Sequence, residues 1–240
     1  MKWYSILHKA AVALAAAAVA SGAQAAADSS AEIWIYADIG ESWWGETVTA
    51  KDFVKEVAAL DVEQITVRIN SYGGSVADGI AIYNALKRHK ASVTVSVDGI
   101  AASIASLIAM AGDRVEIAEN ALMMLHAPWG YTAGNSAELR QYADLLDKWA
   151  QSMAASYAAK TGKSVEDVMV WLTDGEDHWF SAEEAVAEGL ADASTAAIPV
   201  AASASSFAHM IVGWTRRWNG PCAKPQSVPA MTFSRPTRRA

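Results

Sequence analysis

Two side chains in this sequence have the types and the setting that hydrolytic chemistry needs. Ser103 closes the run Gly99-Ile100-Ala101-Ala102, where a strand-like pattern gives way to a helix-like one. Backbone N–H groups at such a junction stabilise an alkoxide or an oxyanion, and small neighbours let a substrate backbone approach. His126 ends the apolar run Leu122 to Leu125, two residues before Pro128. An imidazole there is a candidate general base for a serine hydroxyl. Ser106, three residues further on, competes with Ser103, and serines near helix starts are commonly plain caps.

The other titratable candidates are few. Of five histidines, His8 and His209 fall in expected tails and His89 in the basic cluster Lys87 to Lys90. Acid–base work therefore falls to His126 or His178. Asp177 lies in the acidic stretch Asp174 to Ser181. Facing His126 Nδ1, it would fix the tautomer and stabilise an imidazolium; facing water, it would be a surface carboxylate. Gly73 and Gly74 follow a strand and precede a helix, so their N–H groups can point out of a positive-φ turn. Such a turn suits an oxyanion or a phosphate. It lacks the Gly-Lys-Ser/Thr ending of a P-loop and the third glycine of a dinucleotide fingerprint. No Gly-x-Ser-x-Gly elbow is present, no His/Cys/Glu spacing suggests a metal, and no cofactor is expected.

The elements that must position these residues read as alternating strands and helices. Strands are expected at Ile33–Tyr36, Ile65–Ile69, Val93–Val97, Val115–Ile117 and Leu122–Leu125. Between them, Thr49 with Asp52 caps a helix to Leu60, a second helix carries Ile80, Tyr83 and Leu86, and Ala101 to Ala111 forms a third. Such alternation predicts right-handed crossovers and a largely parallel sheet. After His126 the pattern turns helical. Asn135 with Glu138 opens a long helix whose Leu139, Tyr142, Leu146, Trp149, Met153 and Tyr157 share one face. That face is either ordinary core or an arm against another subunit. Ser164 with Asp167 and Ser181 with Glu184 cap two further helices, and a helical turn is expected near Phe207 to Trp214.

Composition bounds the rest. The 240 residues are 52% hydrophobic and 19% charged, enough for one sizeable core plus tails. One cysteine, Cys222, excludes an intrachain disulfide. The net charge of −7 is uneven: no acidic residue follows Asp192, where six Lys and Arg residues lie, and the remainder holds 13 basic against 26 acidic groups. An acidic body argues against a nucleic-acid-binding core. The chain divides into an Ala-rich leader (1–31), a main domain (32–193) and a flexible basic tail (194–240). The leader reads as a secretory signal or a linker, and its apolar run is too short for a membrane span. The tail is either solvated or a contact for an acidic partner.

Four segments in this order carry a resemblance: Asn70-Ser71-Tyr72-Gly73-Gly74, Gly99 to Ser103, Asn120 to Pro128 with His126, and Asp177 to Ala182 followed by Glu184-Ala185 and Glu188 to Asp192. Across Ile33 to Asp192 the chain resembles the proteolytic subunit of Clp protease, and most of all the ClpP-like head maturation (prohead) proteases of tailed phages. The resemblance implies an α/β chain of the ClpP/crotonase fold, with repeated β-β-α units and a long handle helix. It implies a serine endopeptidase with Ser103 as nucleophile, His126 as base, Asp177 as orienting acid, and the N–H groups of Gly74 and Ile104 as oxyanion donors. It also implies homo-oligomeric stacked rings, heptameric or tetradecameric, joined by the helix from Asn135. Protein substrates, capsid or scaffold proteins among them, would be cut in the cytoplasm of the host cell. Tyr72 replaces the proline usual in housekeeping subunits, and no counterpart of their unfoldase-docking N-terminal loops is identifiable, so an AAA+ partner stays open. The alternatives are an acyl-CoA enzyme of the crotonase type, an inactive assembly protein, and a periplasmic peptidase of the signal-peptide-peptidase type.

Overall fold

Alternating apolar residues make the strands, and register makes the site. A computed structural model describes residues 29–41 and 47–196. The leader to residue 28, the tail from residue 197 and the expected turn near Phe207 lie outside the described residues. In β4 (Gln64–Ser71) Ile65, Val67 and Ile69 are fully buried, while Thr66 and Arg68 point the other way. In β5 (Ser92–Ala102) Val93, Val95 and Val97 do the same. Each such side chain contributes about 1.5–3 kcal/mol when fully buried. The two strands pair in parallel, as do β1 (Ser30–Ile35) with β4 and β6 (Arg114–Ala118) with β5.

The covering helices begin where side-chain caps satisfy their free N–H groups. Thr49 caps α1 (Ala50–Ala58) and Ser75 caps α2 (Val76–Arg88). Ile82 and Leu86 of α2 share one core with Ile104, Leu107 and Ile108 of α3 (Ile104–Ala109) and the inward strand residues. A short parallel pair, β2 (Asp38–Ile39) with β3 (Thr47–Val48), stands apart from the main sheet.

The sheet bends at the site. Between Ile69 and Ser71 the β4–β5 register shifts, since Ile69 pairs with Val97 but Ser71 with Ala101. The extra residues of β5 form a bulge, which turns a strand and changes its partner. Before the bulge β5 pairs with β6; after it, Ile100–Ala102 pair with β7 (Leu122–Leu125). Ala101 and Ala102, expected in a helix, are therefore strand. Their small side chains carry no helical or strand signal of their own, and pairing with β7 decides.

The long helix α4 (Ser136–Thr161) starts with a capping box, Asn135 and Glu138, and ends at Gly162 in the left-handed region. Ser164 caps α5 (Val165–Trp171). The acidic stretch Asp174 to Ser181 contains β8 (His178–Ser181), the antiparallel partner of β7, before α6 (Ala182–Ala187). A last strand, β9 (Ala193–Thr195), pairs with β6 and extends the sheet past the expected start of the tail.

On the face away from the helices lies a polar cluster. Arg68 Nε and a second guanidinium nitrogen each donate to Asp98 at 2.7 Å, Ser96 donates at 3.0 Å, and the Tyr36 hydroxyl donates as well. Glu32 pairs with Arg68 at 3.5 Å.

Candidate active site

The nucleophile candidate sits where two strands hand over to a helix. Ser103 follows the last residue of β5 and precedes α3, with φ 53 and ψ −129. It is the one non-glycine residue with positive φ among the described residues. An L-residue in that region is strained by on the order of 1–3 kcal/mol and persists only where its surroundings impose it. Here they do: the Ser103 N–H donates to the Met124 carbonyl at 2.9 Å, continuing the β5–β7 ladder by one step.

Register then brings in the other two residues. Leu125 of β7 pairs with His178 of β8, so the next antiparallel step sets His126 opposite Asp177. Ser103 Oγ lies 2.7 Å from His126 Nε2, and His126 Nδ1 lies 3.2 Å from Asp177 Oδ1. A carboxylate only accepts, so the Nδ1 proton points at Asp177 and Nε2 accepts the Ser103 proton. That tautomer is the one a general base needs. The His126 side chain is 17% exposed and that of Asp177 44%, which leaves the acid open to solvent.

The glycine turn packs directly on the serine. Gly73 and Gly74 have φ of 97 and 147. A Cβ on Gly73 would lie 2.7 Å from the Ala102 carbonyl oxygen and 2.8 Å from Ser103 Cβ, so only glycine permits this approach. Ile39 of β2 takes the groups flanking Gly74: its N–H donates to the Gly73 carbonyl and its carbonyl accepts the Ser75 N–H, each at 2.8 Å. The Gly74 N–H is not part of that pairing. Ile104 is the first residue of α3, and its N–H belongs to the unpaired first turn.

The competing candidates fall elsewhere. His178 Nε2 pairs with Asp174 Oδ2 at 2.9 Å. The Glu176 N–H and then His178 hold the Asp174 carboxyl below its usual range. Ser106 is fully buried, its hydroxyl 2.6 Å from the Ser103 carbonyl and 2.8 Å from the Tyr157 hydroxyl. Among the described residues no group of three or more His, Cys, Asp and Glu could hold a metal ion. Sequence reasoning gave no role to Ser71. Buried within the quoted Asn70–Gly74 segment, it donates to the Ala37 carbonyl at 2.7 Å and accepts the Gly73 N–H at 3.1 Å, fixing the glycine turn.

Known proteins share this arrangement of chain. A family model described as Clp protease matches residues 25–198. The ATP-dependent Clp protease proteolytic subunit 2 of Tropheryma whipplei is 31% identical over 160 residues, covering 62% of this chain and 87% of that protein. The ATP-dependent Clp protease proteolytic subunit 1 of Leifsonia xyli is 32% identical over 164 residues, covering 67% and 80%. Among solved structures, a ClpP1 mutant from Listeria monocytogenes is similar with a TM-score of 0.59 at 26% identity, covering 69% of this chain and 91% of that one.

Proposed function

Because the chain belongs to the Clp protease family and has a ClpP-like α/β fold, we propose that it is a serine endopeptidase acting through Ser103, His126 and Asp177. The observation that carries this reading is the hydrogen-bonded line from Ser103 Oγ through both nitrogens of His126 to Asp177, set against Gly73. In the proposed reaction Ser103 Oγ attacks the scissile carbonyl and its proton passes to His126 Nε2. Asp177 stabilises the imidazolium through Nδ1–H. The N–H groups of Gly74 and Ile104 receive the oxyanion. As the intermediate collapses, His126 gives the proton to the leaving amine, and water then releases the acyl group from Ser103 by the same steps in reverse order.

The protein works as a homo-oligomeric ring. Supporting this, the two halves of α4 differ. Ala150, Met153, Ala154 and Tyr157 are buried, whereas Leu139 and Leu145 are 45% and 44% exposed. A helix that keeps its apolar stripe beyond the fold that buries it suits a neighbouring subunit. The substrates are capsid or scaffold proteins during phage head maturation, a reading favoured by Tyr72 where housekeeping subunits usually carry proline. The names of the curated relatives favour a second reading, a general protease partnered by an ATPase.

Ser103→Ala is expected to abolish peptide cleavage and fluorophosphonate labelling while ring assembly, read by light scattering, is unchanged. Persistent labelling would remove Ser103 from its role. Co-expression with a capsid precursor separates the two readings: cleavage without any unfoldase supports head maturation, and cleavage only with unfoldase and ATP supports the second.

A further inference from the structure

We propose that Ser106 and Tyr157 are positioning residues, a buried relay from the Tyr157 hydroxyl through the Ser106 hydroxyl to the Ser103 carbonyl that holds the nucleophile in its strained backbone conformation. This rests on Ser103 being the nucleophile. A residue at φ 53 needs restraint on both of its peptide groups. On the N–H side Met124 supplies it. On the carbonyl side Ser103 accepts two bonds, from the Ser106 N–H at 3.0 Å and from the Ser106 hydroxyl at 2.6 Å.

The direction of the relay follows from proton counting. A carbonyl only accepts, so the single hydroxyl proton of Ser106 is committed to Ser103. The Tyr157 hydroxyl, 2.8 Å from Ser106 Oγ, is then the donor of the second bond. Burial raises the Tyr157 phenol well above its ordinary range, so the donor keeps its proton. Both side chains are fully buried. Alanine and phenylalanine would fill nearly the same space without burying two hydroxyls, so packing alone does not call for this pair. The relay also joins α3 to α4, which contribute residues 51 positions apart. Neither residue touches the reacting atoms.

The test uses the assembled full-length protein, with steady-state cleavage of a fluorogenic peptide and the rate of fluorophosphonate labelling. Tyr157→Phe should lower kcat and the labelling rate about three- to tenfold with KM unchanged, and Ser106→Ala about tenfold. The double variant should be no slower than Ser106→Ala alone, because the phenol acts through the serine. The pH midpoint of kcat/KM should not move, since His126 is untouched. Turnover within twofold of wild type in both variants, additive losses, or a lowered Tm with normal kcat would each overturn the relay. If Ser106→Ala does not fold, Ser106→Cys, with its weaker donor, takes its place with an intermediate loss expected. Wild-type protein that takes no label at Ser103 removes the nucleophile assignment and the relay together. Normal wild-type labelling that the variants leave unchanged removes the relay alone.

Discussion

Two aspartates, Asp98 within β5 and Asp177 just before β8, show how differently one carboxylate can be used. Asp98 accepts two bonds from Arg68 and one each from Ser96 and Tyr36, which fills the roughly four acceptor positions a carboxylate offers. It is 10% exposed and its cluster is closed. Asp177 bonds to His126 and otherwise faces solvent. A saturated carboxylate stabilises the fold and has nothing left to offer. An open one attached to a histidine can respond when charge appears on the ring.

The largest effect that would sharpen this contrast lies beside Asp177. His126→Ala should lower kcat about 10⁴-fold or more while Tm stays within about 2 °C, measured by peptide hydrolysis and thermal melting. Residual activity within tenfold of wild type would erase the distinction between the two clusters. Asp177→Asn should follow with a loss of about 10²-fold, less than a buried acid would show because solvent shares its work. Asp98→Asn should do the converse. It is expected to cost about 2 kcal/mol of stability in a urea titration by leaving Arg68 poorly paired, with kcat per folded molecule within twofold of wild type.

The smallest effect concerns Tyr36. Burial, and then the Asp98 hydrogen bond, raise its phenol, so the folded state disfavours the phenolate. Its contribution is complete below the ordinary phenol range near pH 10 and is lost as pH rises beyond it. Tyr36→Phe should therefore flatten the decline of the urea midpoint as pH rises above about 10. An unchanged slope would show that Asp98 does not hold the tyrosine in the closed cluster.

What could be read from the residues, and what could not, divides along the same physical line. Caps announce themselves locally: Thr49 with Asp52, Asn135 with Glu138, Ser164 with Asp167 and Ser181 with Glu184 all start helices where their spacing says. The alternation of Ile65, Val67 and Ile69 identifies a strand with one covered face. The strand character of Ala101 and Ala102 was hidden because it comes from β7 and not from alanine. Whether Asp177 faces His126 depended on a strand, His178–Ser181, of only four residues, too short to recognise after the acidic run before it. Ser106 looked like a rival nucleophile; what it touches is set by Tyr157, which no local pattern connects to it.

The antiparallel pairing of β7 with β8 has a consequence in time as well as in space. Ribosomes deliver the serine and the histidine first, but the carboxylate opposite the histidine arrives 51 residues later, just before the strand that docks against β7. A chain halted between these points holds two of the three proposed groups and also lacks β8 to fix the ring of His126. On this assignment hydrolytic competence requires a chain synthesised past β8. Unfinished ones, exposed among other nascent proteins, have no complete means to cut them.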